Sequence, residues 1–535
     1  MRRRVFGFWL AGLLTVIVSW FPIRNDAASL ANTRNILLVV ADDVGTDSLS
    51  QFNADPNASF PPTPTIDRLS ERGIRFRNAY GYPTCSPTRS ALLTGRYGFR
   101  TGIGAAIDSP GDPQLSPRDF TLAKALQANP QLGFRLAHIG KWHLSPEPTD
   151  PNFIGGWHHF SGALEADLDD YFHWTKVVNG QVFAGTTNYA TTDNANDAIH
   201  WLQAQGTNRW FLWLAFNSAH TPHHKPPNDL HSYDNLPITP PANGSQRRYY
   251  ESMVEALDTE LARVLTAVDL EETTIVVLGD NGTPGQVIQP PFNSANAKGT
   301  LAEGGIRIPL IIAGAGVANP DRDSEAVVHV VDLFATLLEL AGVDLATTLP
   351  SQLTFDSRSF LPILRDDSWN PAETTILAEN FGSSIPLALH GVAIRGSRYK
   401  LIRLDNGREQ FFDLISDALE SNNLLGAPAS SSNLNASQRA AYNALSQRLT
   451  QLHHPTPQPP RISPRRLPDG SMALSVSEEL GTLFRLERSA VVSPAQWSTV
   501  TNTWTAVDDQ NPTVTLFDYS PQPGPAFYRV TATAR

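Results

Sequence analysis

Cys85, within Cys85-Ser86-Pro87-Thr88-Arg89, is the one cysteine among 535 residues, so an internal disulfide is excluded. Pro87 suits the first turn of a helix, where its missing N–H costs nothing, and Gly95 is placed to end that helix. Cys85 then stands at the positive end, with Arg89 on the same face. A helix start beside a cation is how a reactive cysteine is set up. A free cysteine buried for packing would be spelled the same way, and physics alone leaves both readings open. Asp42-Asp43 and Asp280-Asn281 offer oxygen donors to a hard divalent cation. Either pair also makes an ordinary turn or helix cap. Lys141 and His143 are two apart, so an extended backbone points both to one side. His220, His223 and His224 crowd five positions, but zinc ligands follow helix or hairpin spacing and no cysteine joins them.

Apolar runs must position these groups. Asn35–Ala41, Phe134–Ile139, Trp210–Phe216 and Thr274–Gly279 read as strands of a sheet buried on both faces. The polar residues named above follow them, at the carboxyl edge where open α/β sheets place their sites. Helices are expected over Thr65–Arg72, Arg247–Val268, Val330–Leu340 and Ala436–Leu452, and a hairpin over Ile394–Ile402. Phe153–Trp174 is rich in aromatics and histidine without a clear period.

Cys-x-Pro-x-Arg followed by Thr-Gly resembles the motif of the formylglycine-dependent sulfatases, of the alkaline phosphatase superfamily. Gly140-Lys141-Trp142-His143, His220 before its proline turn, Asp280-Asn281-Gly282 and the Lys298 to Arg307 stretch resemble further family motifs in family order. Thr88 stands where many members have serine. The resemblance implies an alkaline-phosphatase-like α/β sandwich with a central mixed, mostly parallel sheet and a smaller C-terminal α/β subdomain. It implies that a maturation enzyme oxidises Cys85 to formylglycine (3-oxoalanine), whose hydrate is the nucleophile. Asp42, Asp43, Asp280 and Asn281 would hold one calcium ion, or magnesium, with residue 85 completing the shell. Lys141 and Lys298 would hold sulfate oxygens and Arg89 would orient the hydrate. His220 would protonate the leaving oxygen, and His143 would assist release of sulfate. Glu303 and Arg307 are expected to be structural. Phe153–Trp174 resembles the family's variable substrate loop, and a plain packed loop fits it equally. The reading is a sulfuric ester hydrolase acting on a sulfated glycan or small molecule. A phosphate or phosphonate ester hydrolase of the same superfamily, or an inactive anion-binding relative, is the alternative.

A net charge of -11 argues against a nucleic-acid surface and leaves an anionic substrate to a local cationic pocket. Met1-Arg2-Arg3-Arg4, the apolar run Val5–Phe21 and the small residues to Ala31 read as a signal peptide. Secretion or periplasmic export from a bacterium, without stable membrane insertion after cleavage, is expected. The domains expected are 32–375 (catalytic), 376–455 (C-terminal subdomain), 456–468 (proline-rich linker) and 469–535. Short alternating runs in the last of these predict a small all-β domain.

Overall fold

A computed structural model describes residues 33–453 apart from 110, 241–245, 367–373 and 383, and, beyond them, the backbone of strands between 461 and 534. The expected signal peptide lies outside the described residues. A ten-stranded sheet forms the centre. Its strands are β1 (Asn35–Ala41), β2 (Gly73–Tyr80), β3 (Arg135–Gly140), β4 (His159–Gly162) and β5 (Trp174–Val178), then β6 (Gln181–Thr186), β7 (Trp210–Ala215), β8 (Thr273–Gly279), β9 (Leu310–Gly314) and β10 (Arg322–His329). They lie in the order β10-β2-β9-β8-β1-β7-β3-β4-β5-β6. β8, β1, β7, β3 and β4 run parallel, as do β10 and β2, while β9 and the β4-β5-β6 ribbon pair antiparallel.

Every residue of β1 is buried, because each face of the sheet is covered. Ile36, Leu38 and Val40 join one core with Leu92 and Leu93 of the helix Cys85–Thr94 and with the helix Val330–Ala341. Leu37, Val39 and Ala41 join the other, under the helices Pro64–Glu71, Ala190–Gln205 and Arg247–Leu265. The period-two alternation of a strand thus distributes one apolar run between two layers.

A second sheet begins at Ile376. β11 (Ile376–Asn380), β12 (Gly391–Arg395), β13 (Tyr399–Leu404) and β14 (Glu409–Asp413) pair antiparallel in chain order. The helix Ala436–His453 packs against β13. The fold expected from the sequence is present in both sheets. Beyond it, Arg461–Arg466 is a strand paired with Met472–Ser477, so pairing starts inside the stretch expected to be linker. Thr482–Ser489 pairs with Phe527–Ala534 in a further antiparallel sheet.

Candidate active site

The adjacent parallel strands β8, β1, β7 and β3 end at one edge, and the residues that follow each of them build the site. After β1, Asp43 takes a left-handed backbone with φ 63°. Two adjacent carboxylates can then converge instead of alternating across the sheet, and aspartate tolerates this conformation better than most residues. After β3, Gly140 has φ 106° and lies so close to β7 that a Cβ would fall 1.8 Å from the Ala215 carbonyl oxygen. Lys141, Trp142 and His143 donate their backbone N–H groups to Ala215, Ala163 and Leu164 in turn. His143 has φ 53°, so its backbone is not extended and simple strand alternation does not place it beside Lys141. After β7, a tight turn closes with the His220 N–H on the Asn217 carbonyl at 3.0 Å.

Cys85 is the first residue of the helix Cys85–Thr94, and Gly95 ends that helix at φ 68°. The Thr88 hydroxyl accepts from the Tyr82 N–H at 2.9 Å, a task for which a serine hydroxyl would also serve. Cys85 Sγ lies 3.7 Å from Lys141 Nζ and 3.8 Å from Lys298 Nζ. Burial nevertheless outweighs the two lysines and pushes the thiol up to about 12. Burial thus opposes the thiolate that a helix start beside cations favours.

Lys141 pairs with Asp42, and Lys298 with Asp43 at 2.5 Å. Burial would raise both carboxyls, but Lys141 for Asp42 and Lys298 for Asp43, with His220 near each, hold them below the usual carboxylate range. Arg89 bonds Asp280 at 2.8 and 3.2 Å and the Lys141 carbonyl at 2.9 Å. Its guanidinium thus ties Asp280 to the backbone of Lys141 and also acts electrostatically on Cys85. Asp280 also accepts the Asp43 N–H, and the Asn281 amide donates to Asp43 at 2.8 Å.

Donor atoms of Asp42, Asp43, Cys85 and His220 lie within 4.8 Å of one another. Asp42 Oδ1 and Asn281 Oδ1 are buried without a hydrogen-bond partner. Three carboxylates and an amide oxygen, with two of these oxygens orphaned, fit a hard cation better than a soft one. His220 belongs to the tight cluster, while Asp280 reaches it engaged by Arg89.

The two site histidines present opposite nitrogens. Nδ1 of His220 faces the Thr221 carbonyl at 3.0 Å, so it carries the proton there, and Nε2 stands 3.7 Å from Asp43. His143 uses Nε2 on the Ile107 carbonyl and leaves Nδ1 buried without a partner. Burial, then Lys141, lowers both imidazoles. His223 bonds Gln246, and His224 sits in a ring cluster with Tyr171 and Tyr189, so neither joins the centre. Glu303 and Arg307 lie with Tyr80 and Lys400 at the second sheet, a structural place. A cleft of about 590 Å³ opens on Asp43, Thr84, His220 and Lys298.

Sequence reasoning missed the frame behind these groups. Thr283 donates to Asp47 at 2.6 Å, tying the two acidic turns together, and the Tyr250 hydroxyl donates to the Asp43 carbonyl at 3.0 Å. Thr283 and Asp47 each follow a singled-out motif by a few residues, which was the available signal. Tyr171, buried in an aperiodic loop, gave none.

No helix among the described residues is long and apolar enough to cross a membrane. Arylsulfatase J of Mus musculus is 27% identical over 344 residues, covering 59% of this chain and 54% of that protein. N-acetylgalactosamine-6-sulfatase of Homo sapiens is 27% identical over 365 residues, covering 62% and 65%. The chain therefore spans less than two thirds of the length of these two curated relatives. A protein solved in complex with its substrate D-glucosamine-2-N,6-O-disulfate shares the fold, with TM-score 0.62, 20% identity and coverage of 78% and 97%. Residues 296–451 match the family model described as N-sulphoglucosamine sulphohydrolase, C-terminal. Residues 34–343, more than half of the chain, match the model described as Sulfatase, and with the edge of the sheet built as above the chain belongs to the type I sulfatase family of the alkaline phosphatase superfamily.

Proposed function

We propose that this chain hydrolyses sulfate esters of a carbohydrate or aryl alcohol, after export and after oxidation of Cys85 to formylglycine by a maturation enzyme. One observation carries the reading: Cys85 is buried where two lysines and the acidic turns converge. As a thiol it is a poor nucleophile, so the placement makes sense for a precursor. Oxidised, residue 85 would be an aldehyde that adds water to give a geminal diol, and Asp42, Asp43, Asp280 and Asn281 would hold a calcium ion that supplies charge neutralisation. Lys141 and Lys298 both reach residue 85 and are placed to hold sulfate oxygens. Arg89 fixes Asp280 and the Lys141 backbone. Protonated on both nitrogens, His220 would deliver the Nε2 proton to the leaving oxygen while its Nδ1–H stays on the Thr221 carbonyl, and His143 offers Nδ1 as the base. A sulfated sugar as substrate is supported by the substrate of the solved neighbour and by the names of the relatives.

Peptide mass spectrometry of active protein should find formylglycine at position 85, and Cys85→Ala should lower kcat/KM at least about 10³-fold without loss of folding. Full turnover by protein carrying an intact thiol would overturn the reading.

A further inference from the structure

The Tyr171 hydroxyl lies 2.6 Å from the Asn217 carbonyl and 2.9 Å from the His220 carbonyl. These are the two ends of the turn that carries His220. The middle of that turn is bonded to the backbone of Asp42, with Asp42 N–H on Ser218 and Ala219 N–H on Asp42. Asp42 thus holds the turn from the strand side, and Tyr171 closes it from the loop side. Tyr171 is itself fixed: it is 1% exposed, and its ring lies 4.3 Å from that of His224. Burial also raises the phenol well above its ordinary range, so it remains a donor.

We infer that Tyr171 is a positioning residue that keeps His220 aimed at the leaving oxygen. The inference rests on His220 being the proton donor. Proton donation matters most when the departing alkoxide is strongly basic and least when it is a stabilised phenolate. A residue that aims the acid should therefore share its dependence on the leaving group. A residue that only supports the fold should slow every substrate alike.

Tyr171→Phe removes the hydroxyl and keeps the ring, and a thermal melt confirms folding. The assay uses 4-nitrophenyl sulfate, phenyl sulfates of rising phenol pKa and a sugar 6-sulfate, with Tyr171→Phe, His220→Ala and the double variant. The expected result is a kcat loss of about 10- to 100-fold on the basic leaving groups and under about threefold on 4-nitrophenyl sulfate. In the His220→Ala background, Tyr171→Phe should cost nothing further, because the two act as one unit. Equal losses on all substrates, no loss on any, or an undiminished cost in the His220→Ala background would each overturn the inference. If His220→Ala alone slows all substrates equally, the acid assignment falls and this inference with it. A leaving-group-dependent His220→Ala beside an indifferent Tyr171→Phe rejects the role of Tyr171 alone.

Discussion

Two clusters of buried charge, one at the edge of the central sheet and one at the second sheet, use similar residues to opposite ends. In the second, Lys400 is buried between Glu303 at 3.1 Å and Glu420 at 2.7 Å. Tyr80 adds its hydroxyl to Glu303 at 2.8 Å, and Arg395 reaches Asn78. Burial would raise Glu303, but Lys400, Arg395 and Arg307 outweigh it and hold the carboxyl at about 2. Most of the charge is spent within the protein, although Nε of Arg307 and Nε of Arg395 keep no hydrogen-bond partner, and it joins β13 to the loop after Lys298. At the central edge, Lys141 and Lys298 also pair with carboxylates, yet oxygens of Asp42 and Asn281 and Nδ1 of His143 stay unmatched. A cleft reaches that cluster, whereas the side chains of Lys400, Glu303 and Glu420 are at most 4% exposed. Both clusters leave polar atoms unmatched, so it is the access given to a ligand that makes the central one a site.

The sharpest way to break the comparison is to remove the central cation of each cluster. Lys400→Met leaves Glu303 and Glu420 facing each other in the interior, and one uncompensated buried charge costs about 3–5 kcal/mol. Denaturant unfolding should show that loss in full. Lys141→Met should cost less stability, because Arg89 also faces Asp42 at 3.7 Å, and its main effect should be on turnover. Equal destabilisation by the two would mean that both clusters are structural.

Calcium offers the next test, because only the cluster that gathers carboxylate and amide oxygens beside a cleft should respond. Adding calcium to chelator-treated protein at 100 times its Kd should stabilise the fold by about 2.7 kcal/mol. Asp42→Asn should remove most of that gain, read as the calcium-dependent rise in Tm. Lys400→Met, weakened as it is, should keep it. A calcium response that survives Asp42→Asn would move the ion elsewhere.

How much of this was legible follows from how far apart the partners are in sequence. Asp42-Asp43, Lys141, His143, His220 and Asp280-Asn281 each stand directly after an apolar strand, so local pattern alone places them at one edge. The pairing of Arg89 with Asp280 joins residues 191 apart, and Lys400 with Glu303 joins residues 97 apart. Nothing local announces either. The left-handed turn at His143 was misread because alternation was carried past Gly140, where the strand ends. The convergence of Lys141 and His143 was thus anticipated for the wrong reason. Tyr171 illustrates the remaining gap, since an aromatic in an aperiodic loop has no address until the loop is folded.

The smallest expected effect separates the two regions through the histidines beneath them. His138 lies under the catalytic edge, its ring 4.6 Å from Trp213 and its Nε2 3.0 Å from the Lys141 carbonyl that Arg89 also bonds. His329 lies at the end of β10, where Nδ1 accepts the Val331 N–H and the ring meets Tyr82. Burial lowers both to about 3, although backbone hydrogen bonds oppose it. Each side chain is therefore neutral when folded and protonates near 6.5 when unfolded. The unfolded chain binds more protons between those values, so stability is complete above about pH 6.5 and is lost as pH falls toward 3. Each histidine should cost about 2 kcal/mol between pH 6.5 and 5. His138→Phe keeps an aromatic ring in the stack, removes one of the two slopes and frees one bond to the Lys141 carbonyl. It should flatten the pH dependence of urea unfolding by about 2 kcal/mol over that window and also slow turnover. His329→Phe should flatten the same curve and leave turnover near that of the parent. Two variants with the same effect on turnover would mean that the Lys141 carbonyl needs no second donor, and that Arg89 alone sets the lysine.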